Sequence, residues 1–194
     1  TLEAGINFSQ SANRTTIQTS VTAYTRAIDQ WIMWMPPVKD VSNYWSPINI
    51  SEVFSKGIEA RLNYSLAAEN WLFDFNTGLD LTWPTFGTGL PDFMIREGDQ
   101  LFYVPVENLS AGLEVQKGSW TGFYQHHWFG DSPGINVDIE AGHVGSAGIS
   151  FNFNSSKLDG RLYLQAENVW NVPYRIIERR PMPGRSWTGG IKVS

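Results

Sequence analysis

Residues 71–83 read Trp-Leu-Phe-Asp-Phe-Asn-Thr-Gly-Leu-Asp-Leu-Thr-Trp. Trp71, Phe73, Phe75, Thr77, Leu79, Leu81 and Trp83 share one parity, while Leu72, Asp74, Asn76, Gly78, Asp80 and Thr82 share the other. Period two is the signature of a β-strand with one apolar and one polar face, because successive side chains point to opposite sides of the sheet. Tryptophan closes the apolar row at both ends. Such a row needs cover, and either a protein core or a lipid bilayer supplies it.

The same alternation recurs along the chain. A first strand covers Thr1–Gln10, with Leu2, Ala4, Ile6 and Phe8 on one face. A second, Thr15–Trp34, ends in an aromatic cluster and is longer than the 9–11 residues that cross a bilayer as a strand, so its end is expected to project. Further strands are predicted over Asn49–Leu66, Trp71–Trp83, Val104–Gln116, Trp120–Phe129, His143–Asn154 and Gly160–Glu167, and a ninth runs from Ser186 to the end. In the last pair Leu162, Leu164 and Ala166, then Trp187, Ile191 and Val193, hold the apolar parity. Lys117-Gly118 reads as a two-residue turn, with Trp120 expected opposite Val115, which puts Gly122 and Tyr124 on the apolar face and Phe123 on the other.

The connections alternate between short and long. Ser11–Arg14, Ala67–Asn70, Lys117-Gly118 and Ser155–Asp159 are short, whereas Met35–Ile48, Pro84–Leu101, Gly130–Gly142 and Asn168–Gly184 are long. Outer-membrane barrels keep short turns on the periplasmic side and long loops outside. The sequence therefore predicts an all-β fold, an antiparallel transmembrane β-barrel. Nine strands with long loops outside leave the last strand running inward and Thr1 on the outer side. Single-chain bacterial barrels have even strand numbers, so strands are expected to be missing before Thr1 and residues 1–194 to be the C-terminal segment of a larger barrel.

Composition excludes several classes. The chain of 194 residues has no cysteine, so disulfides, thiolate metal sites and cysteine nucleophiles are absent. A formal charge of −5 argues against a nucleic-acid partner, which needs a basic face. No apolar run approaches the ~20 residues of a membrane helix; Trp31–Met35, the densest patch, stops at Pro36-Pro37.

Several segments carry a family likeness. Ala166-Glu167-Asn168-Val169-Trp170-Asn171-Val172-Pro173-Tyr174, followed by Pro181-Met182-Pro183-Gly184-Arg185 and an alternating last strand, resembles the end of TonB-dependent outer-membrane receptors. Ala23-Tyr24-Thr25-Arg26 with Asp29 and Trp31-Ile32, Asn49 with Gly57-Ile58-Glu59, and Val104-Pro105 before Asn108-Leu109 and Gly112-Leu113 fit the same pattern in order. The likeness spans essentially the whole chain. It lacks the family's terminal aromatic residue, and the plug with its TonB box. What the resemblance implies is uptake of a scarce ligand (siderophore, cobalamin, haem, sugar or peptide) across the bacterial cell outer membrane. The resemblance also implies a barrel of the 22-stranded type, of which residues 1–194 would be about nine C-terminal strands, with the plug domain and earlier strands outside this stretch. The implied partners are the receptor's own plug and missing strands, TonB through that plug, and outer-membrane lipid with lipopolysaccharide. A passive porin or adhesin barrel, or a soluble carbohydrate-binding β-sandwich, are the alternatives. The sandwich requires Phe73, Phe75, Leu79, Leu81, Phe151 and Phe153 to be buried between sheets.

No catalytic constellation is present, so the chain reads as no enzyme, with no cofactor and no metal. His126 and His127 are adjacent, and on a strand they point to opposite faces; His143 is alone. Glu59, Arg61, Asp74, Asp80, Glu114 and Glu167 share the parity expected to face the lumen, where a solvated polar wall is the ordinary reading. Candidate ligand contacts are Tyr44 and Trp45 in mid-loop, Trp34 and Trp128 as platform or interfacial aromatics, and Arg175, Arg179 and Arg180 as an attraction for an anionic ligand or lipopolysaccharide phosphate. Arg185 reads as structural.

Overall fold

Alternating sequences of this kind form a ladder only where neighbouring strands match in register, and these do. The computed structural model describes residues 1–37, 44–155 and 158–193; residues 38–43 of the loop after the second strand, the turn residues 156–157 and Ser194 lie outside them. The strands are β1 (Leu2–Ala12), β2 (Thr15–Asp29), β3 (Ile32–Met35), β4 (Ser46–Asn49), β5 (Glu52–Ala68), β6 (Trp71–Phe86), β7 (Glu107–Lys117), β8 (Trp120–Phe129), β9 (Gly142–Ser155), β10 (Leu158–Glu167), β11 (Arg175–Ile177), β12 (Arg180–Pro181) and β13 (Ser186–Val193). Nine of them form one antiparallel sheet in the order β1-β2-β5-β6-β7-β8-β9-β10-β13. Pairs β3-β4 and β11-β12 are small ribbons inside long loops. One 3₁₀ turn, Pro91–Phe93, is the sole helical element among the described residues.

Residues opposite each other in an antiparallel pair share a face, so the register reads out the two surfaces. Ile6, Val21, Ala60, Leu79, Leu109 and Trp128 form one row across six strands. Leu66, Phe73, Val115, Gly122, Ile149 and Leu164 form another on the same face. Among the described residues this apolar face has no second layer over it. Phe75 and Leu79 remain 38% and 37% exposed, while Phe73, Leu81, Phe151 and Phe153 are half-buried and none is enclosed. The β-sandwich alternative is thereby excluded.

The opposite face is polar. Asn7, Ser20, Arg61, Gly78, Ser110 and His127 form its corresponding row. Large side chains on it lie over glycines of the neighbouring strand. Tyr24 crosses Gly57 to hydrogen-bond Thr82 at 3.0 Å, and a Cβ on Gly57 would stand 2.5 Å from the Tyr24 hydroxyl. Phe123, placed on this face by the register, covers Gly148 in the same way.

Successive hairpins are staggered. The row that starts at Ala12, the last residue of β1, reaches β9 at Ile149, well short of its end at Ser155. Stagger of this sort accompanies strands that tilt against a barrel axis. At ~3.3 Å per residue Trp71 to Trp83 covers roughly 40 Å, and a tilt of about 40° reduces its rise to roughly 30 Å, the thickness of a bilayer's hydrocarbon core. Near the short turns, Trp71 stacks on Phe73 and Lys117 lies 4.4 Å above the Trp71 ring, an arrangement that suits an interface where rings and long cations meet headgroups.

Four expected boundaries shift. The second strand breaks at Gln30 and the third starts at Glu52 rather than Asn49, because Gln30 (φ 57°) and Ser51 (φ 60°), joined by a bond from the Gln30 amide to the Ser51 carbonyl, interrupt the ladder at one level. What looked like one long strand is therefore a wall strand plus the β3-β4 hairpin. The fourth strand continues past Pro84 to Phe86, since Pro84 offers its carbonyl to the Leu101 amide and Phe86 donates to Asp99. The fifth begins at Glu107, after Tyr103 at φ 61° and the donor-less Pro105. In the β7-β8 hairpin the turn is Gly118-Ser119 and Val115 faces Gly122, with Trp120 opposite Lys117. The positive φ of Gly118 sets this turn; the assignment of faces is unchanged.

If the apolar face meets lipid, Leu79→Arg should cost about 2–4 kcal/mol of barrel stability. Gln125→Arg, on the polar face, should cost far less. Urea titration of the receptor in lipid vesicles measures both, and equal costs would contradict the two-faced assignment.

Candidate functional site

The long connections all leave the same end of the sheet, and there the loops build a core of their own. Met35, Ile50, Val53, Phe86, Ile95 and Leu101 are buried together. Val53 and Phe86 are cross-strand partners on the polar-face parity, so this core caps that face. The β3-β4 hairpin contributes because its residues also alternate: Met33 and Met35 pack inward with Ile48, while Ile32 and Trp34 face away and are exposed.

A second cluster lies between the loops that follow β6, β8 and β10. The tip of the β11-β12 hairpin carries Glu178, which accepts hydrogen bonds from Tyr103 Oη at 2.8 Å, Asn136 Nδ2 at 2.9 Å and the Val137 amide at 3.2 Å. Tyr103 Oη also accepts from the Ile135 amide at 3.5 Å, and the Tyr103 amide donates to the Pro133 carbonyl at 2.8 Å. Burial of the phenol, reinforced by the Glu178 carboxylate it donates to, pushes Tyr103 up to about 12. Burial raises Glu178, but the bonds from Asn136, Tyr103 and Val137 outweigh it and hold the carboxyl below the ordinary glutamate value. Beneath the hairpin a cavity of about 310 Å³ has Tyr103, Ser132 and Arg175 in its walls and His127, Phe129 and Val144 of the sheet as its floor.

The start of the closing loop is held by two asparagines in the left-handed region, Asn168 (φ 48°) and Asn171 (φ 52°), a conformation asparagine tolerates better than most residues. Asn168 is buried. Its amide donates to the Val172 and Pro183 carbonyls and its oxygen accepts from the Val172 amide. Asn171 Oδ1 accepts from the Arg185 amide. The two thus join the Asn-Val-Trp-Asn segment to Pro183-Gly184-Arg185. Trp170, between them, reaches the apolar face, where its indole donates to Tyr124 Oη at 2.9 Å and lies over Gly145.

The sequence candidates are divided among these places. Glu59, Arg61, Asp74, Asp80, Glu114 and Glu167 all stand on the polar face; Arg61 pairs with Asp80 at 2.6 Å, Ser65 donates to Asp74 and Ser146 to Glu167. Tyr44 and Trp45 immediately precede β4 and are exposed, and Trp34 sits across β3 opposite Pro47. Trp128 is remote from them in kind: it lies on the apolar face between Leu109 and His143. Arg175, Arg179 and Arg180 are exposed on the β11-β12 hairpin. His126 stands on the apolar face, ring-stacked on His143 with centroids 5.2 Å apart, and His127 on the polar one. No group of three or more metal-ligating side chains occurs among the described residues. Sequence reading missed Tyr103, Asn136 and Glu178; a lone glutamate within an arginine-rich hairpin was the available signal.

Over residues 1–169 the chain matches the family described as "TonB dependent receptor-like, beta-barrel". It belongs to that family. The family consists of receptors and transporters of the outer membrane. Among solved structures, the chain is similar to one described as "Copper transporter OprC", with a TM-score of 0.67 at 14% identity, over 97% of this chain and 30% of that one. It is also similar to BauA, the ferric preacinetobactin receptor from Acinetobacter baumannii, with a TM-score of 0.63 at 12% identity, over 98% of this chain and 29% of that one. The chain therefore spans less than a third of the length of these two proteins, and the shared feature is the fold. No curated protein matches it in sequence.

Two outcomes are expected. Asn168→Leu removes three hydrogen bonds from a buried position and should cost about 2–3 kcal/mol, read as a lowered unfolding midpoint of the assembled receptor. For the Glu178 cluster, the glutamate's contribution is full above its ordinary value of 4.5 and is lost as pH falls through the depressed folded value. Tyr103's contribution is full below 10.0 and is lost as pH rises through about 12. In a spectrophotometric tyrosinate titration one phenol should ionise late, and Tyr103→Phe should delete that late step.

Proposed function

We propose that the chain is the C-terminal part of the barrel wall of a TonB-dependent receptor, and that the complete protein takes up a scarce ligand across the bacterial outer membrane. The observation that carries this reading is the uncovered apolar face of a nine-stranded antiparallel sheet whose loops all rise from one end, in a chain of this receptor family. Outer-membrane lipid and lipopolysaccharide then cover the apolar face. The polar face, with Arg61-Asp80 and the Asp74, Glu114 and Glu167 carboxylates, meets water and the plug, and TonB acts through that plug.

The loop end is the entry side for ligand. Tyr44, Trp45 and Trp34 offer exposed rings there, and Arg175, Arg179 and Arg180 offer positive charge to an anionic ligand. Trp128, set among apolar neighbours on the lipid-facing side, serves as an interfacial aromatic. Siderophore, cobalamin, haem, sugar and peptide remain the ligand classes; the descriptions of the two structural neighbours make copper and ferric chelates the first to test.

The test is uptake by energised cells. Cells expressing the full-length receptor should accumulate radiolabelled copper or ferric chelate above cells lacking it, and deletion of TonB should abolish the difference. Receptor-dependent accumulation that persists without TonB would instead identify a passive pore.

A further inference from the structure

Three loops that are distant in sequence meet on one carboxylate. Glu178 belongs to the loop after β10, Tyr103 to the loop after β6, and Asn136 with Val137 to the loop after β8. All three donors to Glu178 are neutral, and among the described residues no lysine or arginine lies within ion-pair distance of it, although Arg175, Arg179 and Arg180 share its hairpin. Hydrogen bonds to an ionised acceptor are stronger than neutral ones, so this contact is the firmest that the hairpin makes.

The hairpin has little else to hold it. Its strands pair at Arg175-Pro181 and Ile177-Arg180, with an irregularity between, and at its base the Met182 amide donates to the Tyr174 carbonyl. A ribbon of that size is not stable alone in water. Ile176 and Ile177 are 47% and 40% exposed, so apolar burial does not anchor it. Yet Arg175 and Ile176 form one wall of the 310 Å³ cavity whose floor is His127, Phe129 and Val144.

We propose that the Arg175–Pro181 hairpin is a lid over this cavity and that Glu178 is its clasp, binding the loops after β6, β8 and β10 into one unit that opens together. The inference rests on the reading that the loop end is the entry side for ligand. Breaking the clasp frees the hairpin first. Because Tyr103 is both a donor to Glu178 and a wall of the cavity, and Asn136 and Val137 lose their common acceptor, the other two loops loosen with it. The cavity, half open in the closed arrangement, then opens further, down to Ser132 in its wall.

The clasp can be tested in the full-length receptor on whole cells. Ser132 lines the cavity and is 4% exposed, so Ser132→Cys, in a receptor with no other reactive cysteine, reports access through its rate of labelling by a membrane-impermeant maleimide. Adding Glu178→Ala should raise that rate roughly tenfold or more, Asn136→Ala should raise it less, and Glu178→Gln, which keeps one acceptor oxygen, should fall between the parent and Glu178→Ala. Hydrogen exchange of the purified Glu178→Ala receptor should accelerate in residues 133–139 as well as 175–182. An unchanged labelling rate, or faster exchange confined to 175–182, would overturn the clasp. Should Glu178→Ala fail to assemble, Tyr103→Phe and Asn136→Ala cut the same contact from the other two loops and decide the matter by the same readouts. A receptor that transported nothing would still show these changes, so loss of the transport reading and loss of the lid are separable.

Discussion

Backbone hydrogen bonding in the absence of water is the constraint on which this structure depends. Lipid offers no donors or acceptors, so each amide and carbonyl at membrane depth needs a partner within the protein. The sheet from β1 to β13 meets this by pairing every interior strand on both sides. Side-chain chemistry follows from that arrangement: in a membrane-spanning barrel one parity is free to be apolar, since acyl chains are its surroundings, and the other to be polar, since water is. An average-looking composition, with charged residues at 17% of the chain, is the sum of two very different surfaces.

Register fixes which residues stand on which surface, and glycine makes the polar side fit. Where Tyr24 and Phe123 lie across Gly57 and Gly148, a ring replaces the missing side chain of the adjacent strand and covers its backbone. Such cross-strand cover pins register more firmly than ladder bonds alone, since a one-residue slip would turn every ring to the other face. Trp170 does the equivalent on the apolar side: it leaves the closing loop and lies over Gly145, tying that loop to β8 and β9.

The wall was legible in the sequence because its physics is local and periodic. A strand such as Trp71–Trp83 announces its faces by parity, and the wall strands were found that way apart from the second, which was read from its β-branched residues and its aromatic end. The loops were less legible because their order comes from contacts that parity does not encode. Nothing in residues 15–34 shows that Gln30 adopts a left-handed conformation, since that depends on Ser51 doing so opposite it. Glu178 is equally silent in isolation: its partners lie 75 and 42 residues away. Asn168 and Asn171 were recognised as a family-like pattern, but their work, joining Val172 and Pro183 to one side chain, becomes visible only in three dimensions. Trp128 shows the opposite difficulty, as an aromatic near a loop carries the same letters whether it faces a ligand or lipid.

The buried cluster of Met35, Ile50, Val53, Phe86, Ile95 and Leu101 separates two parts of the molecule that answer to different demands. Below it, the strands divide by parity into an apolar and a polar face, and a residue's place in the register decides its surface. Above it, loop residues pack on a foundation that does not involve the apolar rows. Such a partition leaves the loop surface free to change in sequence while the register of the wall beneath it stays as it is.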